Sequence, residues 1–381
     1  MKIHTTQSDL RDALANLADV VPTKSSMPIL SCVRIESLAD GSGVELTGTN
    51  CDMTVKTVLA CKTEADSQSV AVVPYRTLAG VVNASEQGDI SLVADNGFLR
   101  IDTPTGKSRM QMFATDLFPS SAKESSETKM TVNSAKMAKM LSQVEYAVAA
   151  KEEGRKVLEN TLLSFKPECG KAVATNGRVL AESVVNDAGS KCDISIVVPK
   201  DATRLVRKIL KSELGDSDDV ELSVDKKKSY AEFRLSKTTV WTKLFDGLYP
   251  AYEKVLPDSS KEHQSICVST TELISAVKRV CVFIDEMTGD RVILKFKDGF
   301  ITVSLTNSTN GSSSEVVSTT GFSGDEKEVS FNPNLLVPAL SSAFGEMVWI
   351  DIFKNLSPIR IRDDESYQAV VMPLALPNKQ G

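Results

Sequence analysis

Three stretches of the chain repeat one pattern in different residues: 3–17, 130–144 and 266–280. Each opens with a short alternating strand (Ile3 and Thr5, Met130 and Val132, Ile266 and Val268). A residue of N-cap type follows, Thr6, Asn133 and Ser269 in turn. A side-chain oxygen at that place can accept one of the orphan amides of a first helical turn. Next comes an apolar stripe at helical spacing: Leu10, Leu14 and Leu17; Met137, Leu141 and Val144; Leu273, Val277 and Val280. The copies lie about 130 residues apart, the size of a whole domain rather than of a solenoid repeat. The chain reads as one fold used three times in tandem.

Other anchors keep the same order. Thr49-Asn50, Thr175-Asn176 and Thr306-Asn307 each end a strand-like run, while Pro74, Pro199 and Asn332 each follow one and open a second helical stretch. Proline suits a first helical turn, where its missing amide costs nothing. Phe118-Pro119, Tyr249-Pro250 and Met372-Pro373 close the three blocks. Each block then reads strand, helix, several strands, second helix, more strands, an α+β pattern punctuated by turns such as Asp95-Asn96-Gly97. The most polar stretches fall at 120–127 and 258–264, which places domains at 1–127, 128–258 and 259–381. Pro338 lies inside the third block's second helix and should kink or shorten it.

With 381 residues the chain suits two or three domains. Its seven cysteines are scattered and include no C-x-x-C pair, which argues against a disulfide framework or a zinc site and for a reducing cytosol. No apolar signal core opens the chain and no run approaches membrane-spanning length, so a cytoplasmic protein without a membrane partner is expected. The net charge of −6 excludes a chain that is basic everywhere, but leaves room for one basic lining on an acidic body.

Catalysis has little to stand on. The two histidines, His4 and His263, stand far from any carboxylate or cysteine cluster in sequence. Gly106-Lys107-Ser108 imitates the end of a phosphate-binding loop, but Ile101 occupies the place of its first glycine. Asp363-Asp364-Glu365 reads as a solvated turn before it reads as a cation site, and Asp246 with Glu253 lacks a nucleophile or metal set. Neither a metal nor a cofactor is expected. The best local signal is the segment from Lys200, where Lys200, Arg204, Arg207 and Lys211 share one helical face and Leu205, Val206, Ile209 and Leu210 the other. Lys136, Lys139, Arg155 and Lys156 add charge in the same block. Such a lining would meet a phosphate backbone without reading bases.

Beyond the threefold plan, Met27-Pro28-Ile29-Leu30, the run 46–53, Ala174-Thr175-Asn176-Gly177, the run 243–250, Val255-Leu256-Pro257 and the ending from Val370 to Leu376 resemble the bacterial sliding-clamp family, the beta subunits of DNA polymerase III. The resemblance covers essentially the whole chain. It implies three tandem DNA-clamp domains, two chains closing head to tail into a ring around duplex DNA, and a non-catalytic processivity factor. The implied partners are the replicative polymerase's catalytic subunit, the clamp loader and other clamp-binding repair proteins. It also implies a peptide pocket between the second and third domains. The pocket's apolar part falls on Leu158, Thr175, Gly177, Leu180, Pro250, Val255, Val370 and Met372, with Arg178 on its rim where the family usually has histidine. A second part falls on Arg155, Asn332, Leu356, Pro358, Pro373 and Leu374. Positions matching duplex contacts are Lys24, Arg76, Lys151, Arg155, Lys156 and Lys200, to which the helix face adds Arg204, Arg207 and Lys211. The implied dimer seam sets Met110 and Met112 against Val282 and Phe283 of a second chain. The rival expectation is a cytosolic peptide-binding scaffold that never encircles DNA; an enzyme using Asp246 and Glu253 comes third.

Overall fold

Each block's first helix begins where its cap residue stands. The Thr6 hydroxyl accepts the Asp9 amide at 3.2 Å, Asn133 Oδ1 accepts that of Lys136 at 3.1 Å, and Ser269 Oγ accepts that of Glu272 at 3.4 Å. The first helical amide is satisfied from outside in all three: Gln7 donates to the Gly88 carbonyl (2.8 Å), Ser134 to Asp218 (2.8 Å) and Thr270 to Glu346 (2.9 Å). Helices α1 (Gln7–Ala15), α2 (Tyr75–Ala84), α3 (Ser134–Val144), α4 (Lys200–Glu213), α5 (Thr270–Cys281) and α6 (Pro333–Ser341) alternate with antiparallel strands. The apolar stripes of α1, α3 and α5 are buried from Leu10 to Val280, as helical periodicity requires. The computed structural model describes residues 1–64, 69–119, 128–151, 154–186, 193–213, 218–258, 263–284, 291–307, 310–321, 326–353, 357–363 and 366–376.

The second helices depart from expectation in detail. Pro74 and Pro199 end their strands, Val70–Pro74 and Ile194–Pro199, one residue ahead of α2 and α4 rather than inside the first turn. In the third block Asn332 takes that place and its side chain accepts the Asn334 amide at 2.8 Å. Helix α6 runs on through Pro338 and ends at Ser341. The block endings also shift register. Phe113, Phe245 and Leu374 donate their amides to the carbonyls of Val72, Val197 and Ser330 at 2.8, 2.9 and 2.7 Å. Met372-Pro373 therefore precedes this closing bond, whereas Phe118-Pro119 and Tyr249-Pro250 follow it, and the three pairs are not counterparts.

Two compact units divide the chain, Met1–Ala138 with Asp201–Leu244, and Lys139–Lys200 with Phe245–Gly381. The division passes through the middle block. In the first unit, strand Thr238–Lys243 pairs antiparallel with Met53–Ala60, with Val240 opposite Val55, so that one eight-stranded sheet serves two blocks. In the second, Val179–Asn186 pairs with Tyr367–Val371, with Leu180 opposite Val370, inside a twelve-stranded sheet. A polar cluster backs each junction. In the first unit, Asn16 Nδ2 donates to Glu213 Oε1 (2.6 Å) and to Thr238 Oγ1 (3.2 Å), and Thr57 and Thr238 share a hydroxyl bond of 2.9 Å. In the second, Ser183 Oγ donates to Gln143 Oε1 (2.6 Å) and Gln143 Nε2 to Asp363 Oδ2 (3.4 Å). The Tyr146 and Tyr367 hydroxyls meet at 2.6 Å, and Tyr367 passes its proton donor on to the Ala339 carbonyl at 2.8 Å.

Several sequence coincidences resolve into structure. His4 Nδ1 meets Ser91 Oγ at 2.8 Å, and His263 stacks on Phe353 with centroids 5.2 Å apart. Gly106 closes a hairpin turn with Thr103 and no helix follows it. Asp363 Oδ1 accepts the Ser366 and Tyr367 amides at 2.7 and 2.8 Å; Asp364 and Glu365 lie outside the described residues.

Candidate peptide pocket and basic helix face

The pocket is built from the second unit's hairpin of Cys169–Thr175 and Val179–Asn186. Thr175 Oγ1 donates to the Val179 carbonyl (2.8 Å) and accepts the Gly177 amide (3.1 Å), while Asn176 Oδ1 accepts the amides of Arg178 (2.9 Å) and Val179 (3.0 Å). These four bonds wind the turn tightly enough that Gly177 sits at φ +85°. The left-handed backbone favours glycine there, and an added Cβ, 3.1 Å from Arg155 Nη1, would also displace that flexible guanidinium slightly. Strand Tyr367–Val371 lies alongside, and the Met372 amide donates to the Arg178 carbonyl at 2.9 Å. Pairing thus brings Leu180, Val370 and Met372 together from distant parts of the chain.

The resulting cavity has a volume of about 190 Å³. Leu158, Thr175, Gly177, Arg178, Leu180, Pro250, Val255, Val370 and Met372 line it, joined by Arg155, Val179, Ala251 and Tyr252. Leu180, Tyr252, Val370 and Val173 form a buried cluster beneath, with Leu162, Tyr249 and Leu256 packed against it. Val255 and Met372 remain half exposed at the mouth. Among the described residues the lining holds two guanidinium side chains and no carboxylate. Floor and rim suit an extended peptide bearing a large apolar side chain.

Val179, Ala251 and Tyr252 line the cavity beyond the residues the sequence points to, although an aromatic between Pro250 and Val255 signals a buried turn. Asn332, Pro358, Pro373 and Leu374 do not line the cavity: Asn332 caps α6, and Leu374 closes its block on Ser330. Leu356 lies outside the described residues. Asp246 and Glu253 are both exposed, and burial together with Glu182 and then Glu253 pushes the Tyr252 phenol well above its ordinary range.

Among the basic residues, Arg155 is expected both at the duplex and in the pocket. Its guanidinium lies over Gly177 in the cavity wall, where the turn's missing Cβ leaves a place for it, and the residue as a whole stays exposed. On α4 the alternation holds: Leu205, Val206, Ile209 and Leu210 are buried, Arg204 and Lys211 exposed, and Lys200 and Arg207 partly covered. Lys208, on the flank of that face, pairs with Asp19 at 2.7 Å. Lys24 and Arg76 are exposed in the first unit, and Lys151 and Lys156 in the second.

Met110 is 8% exposed, facing the core from the edge strand Lys107–Gln111, because strand alternation turns Arg109 and Gln111 outward instead. Met112 lies just past the strand and is partly covered. Val282, 79% exposed, and the partly covered Phe283 stand on the turn after α5.

Tandem two-helix domains with shared antiparallel sheets are the architecture of a DNA clamp. Models of the N-terminal, central and C-terminal domains of the DNA polymerase III beta subunit match residues 1–119, 131–251 and 253–375. The chain is 26% identical over 381 residues to the beta sliding clamp of Chlamydia muridarum, covering 99% of each. Among solved structures, the DNA polymerase sliding clamp from Bacillus subtilis superposes with a TM-score of 0.88 at 20% identity, covering 99% of this chain and 100% of that one. A sliding clamp from Pseudomonas aeruginosa bound to griselimycin gives 0.88, also at 20% identity and with the same coverage. The chain belongs to the bacterial DNA polymerase III beta subunit family, the beta sliding clamps. It is a sliding clamp of DNA replication and not itself an enzyme. Among the described residues no helix is long and apolar enough to cross a membrane.

Proposed function

We infer that the protein closes head to tail with a second copy into a ring around duplex DNA in the cytoplasm, and tethers its partners there. Tethering converts each rebinding of the polymerase into an intramolecular step. The observation that carries the reading is the run of three successive clamp-domain matches along one chain. Domains at 1–127, 128–258 and 259–381 belong to it. DNA contact falls to Lys24, Arg76, Lys151, Arg155, Lys156, Lys200, Arg204, Arg207 and Lys211, through sequence-independent and salt-sensitive phosphate contacts. The seam uses Met112, Val282 and Phe283, with Met110 supporting its strand from the core side.

The cavity around Leu180 and Val370 takes a short peptide of the polymerase, the clamp loader or a repair protein. Its apolar floor supports this, and so does its size: about 190 Å³ suits one or two side chains rather than a substrate. Loading onto nicked circular DNA tests the ring: the protein should stay bound and should slide off once the circle is cut. Phe283→Asp should sediment as a monomer and lose retention. A wild-type monomer at micromolar concentration, or retention indifferent to linearisation, would overturn the ring.

A further inference from the structure

A buried carboxylate lies directly beneath the cavity. Glu182 is 3% exposed and stands two residues along the strand from Leu180. One of its oxygens meets Lys171 Nζ at 3.3 Å and accepts the Tyr252 hydroxyl at 3.4 Å; the other accepts the Gln368 side-chain amide. A charge costs free energy in such a place unless it is paired and hydrogen-bonded. The ammonium of Lys171, itself about two-fifths exposed, is its cationic partner. Stability alone would be served as well by an apolar residue here, and Tyr252 by phenylalanine. What the pair does achieve is orientation. Tyr252 lines the cavity, yet its hydroxyl is turned down into the protein. Burial and the two neighbouring carboxylates raise the phenol's pKa, so it stays a proton donor toward Glu182.

We propose that Glu182 is a positioning residue that sets the pocket's selectivity: by holding the Tyr252 hydroxyl inward it presents ring carbon to the ligand, favouring an apolar anchor over a polar one. This rests on the peptide-pocket reading. Without Glu182 the hydroxyl loses its buried acceptor; the exposed Glu253 carboxylate and the cavity's water remain to it, and it turns outward. A polar anchor would then find a partner, and an apolar one would meet a hydroxyl.

The test uses the full-length protein and two labelled, acetylated hexapeptides that differ only in leucine or serine at the anchor. Fluorescence polarisation gives the ratio of their affinities. Glu182→Ala should shrink the leucine-over-serine ratio by about fivefold, the size of one hydrogen bond. Glu182→Gln, which can still accept the phenol proton, should keep most of it. Adding Tyr252→Phe to Glu182→Ala should restore the ratio, because no hydroxyl remains to turn; general damage to the fold would not be rescued this way. If Glu182→Ala does not fold, Glu182→Met fills the volume without an acceptor and carries the same comparison. An unchanged ratio, or a double variant as unselective as the single one, overturns the proposal alone. Failure of the unsubstituted protein to bind either peptide overturns it together with the pocket reading.

Discussion

The hairpins 43–60 and 169–186 are built alike and end up with different surfaces. Thr49 repeats the bonds of Thr175, donating to the Met53 carbonyl (3.0 Å) and accepting the Cys51 amide (3.1 Å). Asn50 repeats those of Asn176, accepting the amides of Asp52 (3.1 Å) and Met53 (2.8 Å). The next block's strand docks on both in the same way: Lys243 donates to the Asp52 carbonyl at 2.8 Å where Met372 donates to that of Arg178. At the register positions that follow, Thr54 opposes Trp241 in the first hairpin and Leu180 opposes Val370 in the second. Trp241 is tied to Glu232 through its indole nitrogen (2.9 Å) and carries Lys56 5.5 Å above its ring. A shared backbone therefore carries two different surfaces. The side chains at the hand-over do: apolar in one copy, polar in the other, with glycine or cysteine at the left-handed residue.

A charge placed at matching positions separates the two hairpins most strongly. Leu180→Asp should weaken binding of an apolar-anchored peptide by at least about a hundredfold, since a carboxylate would be desolvated against the ligand. Thr54→Asp should change it by less than about twofold. Equal losses in a polarisation titration would show that the two surfaces are not functionally distinct.

The clusters behind the junctions come next. Gln143 is fully buried, and Gln143→Leu would strip Ser183 and Asp363 of a partner, costing about 2–3 kcal/mol. Asn16→Leu, at a site 8% exposed, should cost about 1–2 kcal/mol. Native-state hydrogen exchange on strands Val179–Asn186 and Met53–Ala60 reads each loss locally. A larger loss at Asn16 would reverse the ranking of the junctions.

Arg178 and its counterpart Asp52 differ in charge. Arg178→His should reduce the preference for a peptide with a carboxylate beside its anchor by about threefold to fivefold, an effect limited by solvent at the rim. Asp52→His, at the counterpart, should leave that preference alone. Titrating acidic and neutral peptides against both variants decides whether the guanidinium takes part.

The smallest effects concern the turn residue. Cys51 holds φ +75° against the backbone preference of a side-chain-bearing residue. Cys51→Gly should therefore stabilise the first unit by about 0.5–1 kcal/mol, while Gly177→Ala should destabilise the second by about as much. Shifts in thermal midpoint of the same sign would mean that Arg155 and the turn's neighbours matter more than φ.

Much of this was legible in the sequence because it depends on bonds that reach only a few residues. The caps Thr6, Asn133 and Ser269, the apolar stripes behind them, and the Thr-Asn pairs at strand ends are local commitments, and a threefold repeat made each one visible three times. Which strand lies beside which is another matter. Met110 looks like a seam residue in the chain, but pairing opposite Leu99 buries it. Arg155 reads as a cation for the duplex and for the pocket alike, and the missing Cβ of Gly177 is what gives its guanidinium a place in the cavity wall. Glu182 and Tyr252 lie far apart in sequence and meet because the 169–186 hairpin folds under the Pro250 turn. Local order follows from short-range hydrogen bonding and helical period. The tertiary structure alone decides burial and function at these residues, because strand pairing brings together side chains whose separation along the chain carries no signal.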